Sequence, residues 1–231
     1  MKTIHETDKE FICDIQAPCF QSLNPEEVEL VRASKTQVFF RKGENLTKQG
    51  AFATYVLFIV QGVAKQYVEG DGIKNYNLRL VCPGEFVGLS SVFTRNTYSY
   101  STVALSDVQA FLVENNSLLR VAMSNGEFAV NIIKRYSEQN TMLFDHIRTL
   151  MYKQMNGRMA EALLYIQGIR VPFTDVFALL SRKDIAEFAG ISTENAVKIL
   201  KSFEKDGLIQ LEDKTIRLLK PEQLADISKR G

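Results

Sequence analysis

The chain has 231 residues, 45% hydrophobic and 24% charged, enough for two modest domains that each bury a core. That balance excludes a collagen, a disordered tail and a membrane span, since the longest apolar run, residues 55–60, is far shorter than a bilayer requires. A net charge of +1, with 12 Lys and Arg against 11 Asp and Glu from residue 157 to the end, excludes nucleic-acid binding through bulk positive charge. Any such contact must come from where the cations stand.

The first ten residues, MKTIHETDKE, are polar where a signal peptide would be apolar, so a cytoplasmic protein is expected. Three cysteines, Cys13, Cys19 and Cys82, are an odd number and read as reduced thiols rather than a disulfide framework. The two histidines, His5 and His146, lie far apart, and no zinc-binding helix, phosphate loop or nucleophile elbow is present. Without a paired acid and base or a nucleophile constellation, an enzyme is not expected, and no cofactor is assigned.

In chain order, Asn24 as N-cap and Pro25 at the first helical position open a short helix to Ser34. Strand patterns follow at 38–40, 55–60, 62–68, 76–81, 101–104 and 109–113, punctuated by glycines at 43, 50, 62, 70, 72, 84 and 88. Short alternating strands with glycine corners predict an antiparallel barrel or roll.

A long helical pattern then runs from about residue 127 to 154. Ile133, Tyr136, Asn140, Leu143, Ile147 and Leu150 fall at alternating three- and four-residue spacing, the seam of a coiled coil. Asn140 in mid-seam is the kind of polar residue that fixes register, and a homodimer is expected. A second stripe, Phe128, Ile132, Phe144 and Met151, can pack the same helix on its own roll. Asn156-Gly157 is expected to interrupt the helix as an interdomain hinge before a second amphipathic helix at 158–167.

Residues 180–219 read as a helix-turn-helix and a two-stranded wing. Ser181 caps the first helix with Asp184 three residues on, Ile185, Phe188 and Ala189 face inward, and Gly190 makes the turn. A second helix starts at Ser192, turns Ala196, Val197, Leu200 and Phe203 inward, and stops near Gly207. Its other face shows Thr193, Glu194, Asn195, Lys198 and Lys201, groups that can meet phosphates and base edges in a major groove of double-stranded DNA. Residues 208–211 and 215–219 alternate as a hairpin. The same shape also serves as a protein docking module, so a sensor whose helix-turn-helix contacts a protein partner is the alternative.

The order of parts resembles the superfamily of the cyclic-AMP receptor protein and the fumarate-nitrate reduction regulator, dimeric bacterial transcription factors. The resemblance rests on Lys42-Gly43-Glu44 through Gln49-Gly50, on Gly62, on Pro83-Gly84-Glu85-Phe86-Val87-Gly88, on Gly157-Arg158-Met159-Ala160 and on residues 180–209. It implies an α+β fold: an N-terminal antiparallel β-roll (a double-stranded β-helix, cyclic-nucleotide-binding-like) with its helix over 1–124, a dimerisation helix over 125–155, and a winged helix-turn-helix over 156–231. It also implies a palindromic DNA site with half-sites about 34 Å apart, RNA polymerase as a partner, a small-molecule effector of unknown identity, and no membrane.

Carried over residue by residue, the family's base-reading run aligns with Ser192-Thr193-Glu194-Asn195-Ala196-Val197-Lys198. Glu194 matches and can accept from a cytosine amino group, whereas Thr193 cannot make an arginine's bidentate contact to guanine. Asn195 is assigned to adenine, Lys198 to a guanine or a phosphate, and Ser181 and Arg182 to phosphate. The effector pocket aligns with Gly88, Leu89, Ser90, Ser91, Tyr98, Ser99 and Tyr100, with Leu143 and Phe144 from the long helix. Cyclic-AMP sensors of the family carry Gly-Glu and Arg-Ser where this chain has Gly88-Leu89 and Tyr98-Ser99. A buried phosphate needs a cation, so the expected effector is not cyclic AMP but an apolar or aromatic metabolite, unless the side chains fill the pocket themselves. Cys13 and Cys19 reproduce part of the family's iron-sulfur spacing, but a four-cysteine cluster needs one thiolate more than the chain has.

Overall fold

The structure, a computed structural model, describes residues 1–5, 8, 18–70, 75–94 and 97–231. Cys13 and the Cys19 side chain lie outside the described residues, so the cluster spacing is not tested there. The chain separates into two compact units, 1–68 with 80–141, and 69–79 with 142–231.

The first unit is the roll, whose strand β6 (Asn75–Val81) runs on into the second unit through residues 75–79. Its larger sheet has the order β1-β2-β9-β4-β7 and its smaller one β3-β8-β5-β6, with β1 Lys2–Ile4, β2 Lys35–Phe40, β3 Asn45–Thr47, β4 Tyr55–Gln61, β5 Ala64–Glu69, β6 Asn75–Val81, β7 Phe86–Val87, β8 Ser101–Ala104 and β9 Val108–Glu114. All pairings given below are antiparallel.

Strand β4 explains the two-layered core. Its sequence YVLFIV is apolar at every step because both faces are covered. Leu57 and Ile59 point into the roll with Val38, Val81, Tyr98 and Ala110. Val56 and Phe58 point the other way, onto a cluster with Phe20, Phe86, Phe111, Leu118, Phe128 and Ile132, as the two-residue side-chain period of a strand dictates. That second cluster is closed by α1 Pro25–Ala33, α2 Asn115–Ser124 and the start of α3 Gly126–Tyr152. Asn24 caps α1 in a reciprocal box with Glu27. Asn125 donates to the Glu27 carboxylate at 2.8 Å, tying the first helix to the α2–α3 junction. That bond, seconded by the Asn24 amide, holds the Glu27 pKa below its ordinary value.

Gly62 is obligatory for a steric reason. Its φ is +89°, and a Cβ there would sit 2.1 Å from the Asp107 carbonyl oxygen. The strand β1, antiparallel to β2 with Thr3 opposite Val38, was not expected from its polar sequence.

In the second unit, α4 Met155–Gly168, α5 Val176–Leu179, α6 Arg182–Ala189, α7 Thr193–Lys205 and α8 Pro221–Arg230 surround a core of Met159, Leu163, Ile166, Ile185, Leu200 and Leu224. The wing is β10 Ile209–Glu212 paired antiparallel with β11 Thr215–Leu218.

The expected hinge is displaced. α3 ends at Tyr152, the break is Lys153-Gln154 with Gln154 extended (φ −73°, ψ 171°), and Asn156-Gly157 lies inside α4. Gln154 donates its backbone N–H to the Gly231 carbonyl, and a Cβ on Gly157 would meet Gly231 at 2.7 Å. Gly157 therefore serves close backbone approach between α4 and the end of α8, not a helix break. Among the described residues no helix is long and apolar enough to cross a membrane.

Candidate nucleic-acid interface and effector pocket

Two caps set the helix-turn-helix. Ser181 Oγ accepts from the Asp184 N–H at 3.1 Å and the Asp184 carboxylate accepts from the Ser181 N–H at 2.8 Å. The Ser181 hydroxyl also donates to Asp184 at 2.6 Å. Its proton is committed to this box, which corrects the assignment of Ser181 as a phosphate donor. Gly190 ends α6 in the left-handed region at φ +62°. Ser192 then caps α7 by accepting from the Asn195 N–H at 3.2 Å.

Helix α7 buries Ala196, Ile199, Leu200 and Phe203. Val197, expected inward, is only half-buried and Ile199 takes its place. The outward face presents Thr193, Glu194, Lys198 and Lys201, all exposed, with Glu194 in the first turn where the helix dipole favours a carboxylate. Asn195 departs from its assignment to adenine. It is half-buried and its amide is directed at the Met155 sulfur, 3.5 Å away. Arg182 is half-buried at the start of α6, where burial lowers its pKa from the ordinary value and the Glu204 charge opposes that shift.

On α3 the seam residues stand open. Ile133, Tyr136, Leu143, Ile147 and Leu150 are 62%, 49%, 40%, 52% and 37% exposed, a stripe too apolar to be left to water. Asn140 is exposed with them. Of the second stripe, Phe128 and Ile132 are buried in the roll unit, whereas Phe144 and Met151 are exposed.

The effector residues do not all converge. Gly88 at φ +83° lies so close to Tyr98 that a Cβ would be 2.6 Å from its ring. The Tyr98 hydroxyl donates to the Tyr55 carbonyl at 2.7 Å, and burial, aided by Tyr100, pushes its pKa up to about 12. The Gly88 N–H donates to the Tyr100 phenol at 3.0 Å. These three form one cluster in which two phenols cover the Gly88 amide. The other members from the roll itself are corrected. Leu89 packs on the opposite side of the sheet, in the cluster with Phe58, Phe86 and Phe128. Ser91 is buried and donates to the Gly88 carbonyl at 2.7 Å. Ser90 is half-buried, with its carbonyl accepting from Thr94, and Ser99 is exposed. Leu143 and Phe144 are exposed on α3 in the other unit. The places where the resemblance puts a ribose-binding carboxylate and a phosphate-binding arginine hold Leu89 and Tyr98, and neither brings a formal charge.

Residues 37–125 match the family model of the cyclic nucleotide-binding domain, and residues 157–227 match that of the Crp-like helix-turn-helix domain. The chain belongs to the Crp/Fnr family of transcription regulators. Among curated relatives, a CRP-like cAMP-activated global transcriptional regulator of Mycobacterium tuberculosis is 23% identical, covering 91% of this chain and 96% of the relative. An anaerobic regulatory protein of Bacillus subtilis is also 23% identical, over 80% of each chain. The structure of FixK2 from Bradyrhizobium japonicum superposes with a TM-score of 0.73 at 23% identity, covering 84% of this chain and 96% of FixK2. A Crp/Fnr-family regulator from Eubacterium rectale does so at 0.74 and 17% identity, over 92% and 98%. These relatives are regulators, not enzymes, and this Crp/Fnr-family chain is a DNA-binding transcription regulator with an N-terminal cyclic-nucleotide-binding-like domain.

Proposed function

We propose that this cytoplasmic regulator works as a homodimer that reads a palindromic DNA site and answers a signal other than a cyclic nucleotide. The observation that carries the reading is the exposed row Thr193, Glu194, Lys198 and Lys201 on a capped helix that follows a left-handed glycine turn. Two such helices, joined through the open apolar stripe of α3, suit half-sites about 34 Å apart. Glu194 accepts from a base, Lys198 and Lys201 neutralise phosphate or meet guanine, and Arg182 supplies a backbone contact. Thr193, in place of an arginine, sets a consensus different from that of relatives carrying the longer side chain. The bound dimer acts on transcription through RNA polymerase. The Mycobacterium relative is named for activation by cAMP, whereas the Gly88, Tyr98 and Tyr100 cluster here supports a roll that does not take that ligand.

The test is selection from fragmented genomic DNA by the purified full-length chain, followed by sequencing of what is retained. A two-fold palindrome with half-sites one turn apart is the expected result. Glu194→Ala should then relax base preference at one position per half-site, while Arg182→Ala should weaken all sites about equally. No enrichment, with or without a metabolite extract, would overturn the reading.

A further inference from the structure

A cavity of about 180 Å³ lies inside the second unit, away from the Gly88 cluster. Its walls are Tyr76 from the start of β6, Met142, Asp145, His146 and Thr149 from α3, Arg158, Glu161, Ala162 and Tyr165 from α4, and Phe188 from α6.

Its polar side is dominated by one cation with unused hydrogen-bonding capacity. Arg158 Nη1 donates to the Gly190 carbonyl at 3.3 Å, but Arg158 Nε is buried and has no hydrogen-bond partner among the described residues. A buried guanidinium donor without a partner is costly, and an oxyanion is the group its planar fork is shaped to receive. None of the other polar walls accepts from Nε. The Tyr76 hydroxyl is 3.0 Å from His146 Nδ1, and burial pushes the tyrosine up to about 12 and the histidine below its ordinary value, so both are neutral at pH 7. Glu161 also borders the cavity, but its carboxylate is taken by Lys153 at 2.8 Å and by the Ser228 hydroxyl. Asp145, the other carboxylate of the lining, is exposed. The Tyr165 and Phe188 rings, 5.7 Å apart, give the cavity aromatic walls, and cavities of about 150 Å³ accept one benzene-sized molecule.

We propose that this cavity is a binding site for a small aromatic carboxylate, its carboxyl group on Arg158 and its ring against Tyr165 and Phe188. The proposal deepens the regulatory reading above, because Arg158 also holds the carbonyl of Gly190, the turn between α6 and the recognition helix. A carboxylate that draws the guanidinium toward Nε alters that hold, and so the placement of α7.

Isothermal titration of the full-length chain with benzoate, phenylacetate and benzamide reads binding without DNA. Benzoate or phenylacetate should bind, and benzamide, which lacks the charge, should bind at least tenfold more weakly. Arg158→Gln should lose at least tenfold in carboxylate affinity. Thr149→Phe, which fills the cavity and leaves Arg158 in place, should abolish binding, and it decides the matter if Arg158→Gln does not fold. Absence of carboxylate binding to the wild type, equal binding of benzamide, or binding retained in folded Thr149→Phe each overturns the proposal. Carboxylate binding by a chain that retains no DNA overturns the regulatory reading instead and leaves the site standing.

Discussion

Salt dependence is the sharpest consequence of a DNA interface built by placement rather than by net charge. Arg182, Lys198 and Lys201 are the cations assigned to the DNA face of each protomer, and a dimer presents twice that set. If all six neutralise phosphates, counterion release gives a slope of log K against log salt of about −5. Raising KCl from 50 to 200 mM then lowers affinity by roughly three orders of magnitude. Lys198→Gln, which removes one cation from each protomer, should flatten the slope by about 2 while leaving the fold intact, since the residue is exposed. Fluorescence anisotropy on a selected palindrome across four salt concentrations measures both values. A slope no steeper than about −2 for the wild type, or an unchanged slope for Lys198→Gln, would show that α7 does not lie along the phosphate backbone.

Three further outcomes follow from individual residues. Ile147→Asp places a carboxylate in the middle of the open stripe, and in sedimentation velocity the dimer should weaken by on the order of a hundredfold, with palindrome binding lost alongside; an unchanged sedimentation coefficient would remove the stripe as the interface. Ser181→Ala breaks the box at the start of α6 and should cost about 1 kcal/mol in urea denaturation, with a loss above roughly 3 kcal/mol pointing to a role beyond capping. Burial holds the His146 pKa below its ordinary value of 6.5 against the raising effects of Asp145 and Glu161, with Tyr76 and Arg158 on its other sides. The folded state therefore binds fewer protons than the unfolded one just below pH 6.5, and the contribution of this group, intact above that value, is lost as pH falls through the depressed pKa. His146→Gln, which keeps an acceptor for Tyr76 without titrating, should flatten the acid side of a melting-temperature profile; an unaltered profile would mean that other groups govern it.

Local chemistry made much of this fold readable. The Asn24-Pro25 start, the Ser181–Asp184 box and the Gly190 turn are signals confined to a few residues, and each appears where its pattern places it. The errors come where distant segments decide. Asn156-Gly157 reads as a breaker in isolation, yet it lies within α4 because Gly231, from the far end of the chain, needs the room of a missing Cβ. Leu89 follows Gly88 in sequence but passes to the other face of the sheet, where Phe58 and Phe86 cover it. Asn195 lies at a base-reading register, yet Met155 in α4 draws its amide. The cavity around Arg158 had no signature at all, since its walls are gathered from residues between 76 and 188.

The convergence of contacts on α6 gives the second unit a single point at which a signal can act. Asn77 donates to the Asp184 carbonyl at 2.9 Å from the start of β6, and Arg158 holds Gly190 at the opposite end of the same helix. Helix α6 cannot move without α7, because the Ile191 N–H reaches back to the Ala186 carbonyl at 3.1 Å and Ile185, Ala189, Ala196 and Leu200 are all buried. Packed interiors transmit small displacements rather than absorb them. A shift of even about 1 Å at Gly190 is thus passed to Glu194 and Lys198 as a rigid reorientation, and readout of a half-site by bidentate or paired contacts tolerates little such error. On this argument the recognition helix is set by what Arg158 and Asn77 grip, and a ligand needs only to change one of those grips, not to refold the helix-turn-helix, to alter which DNA is held.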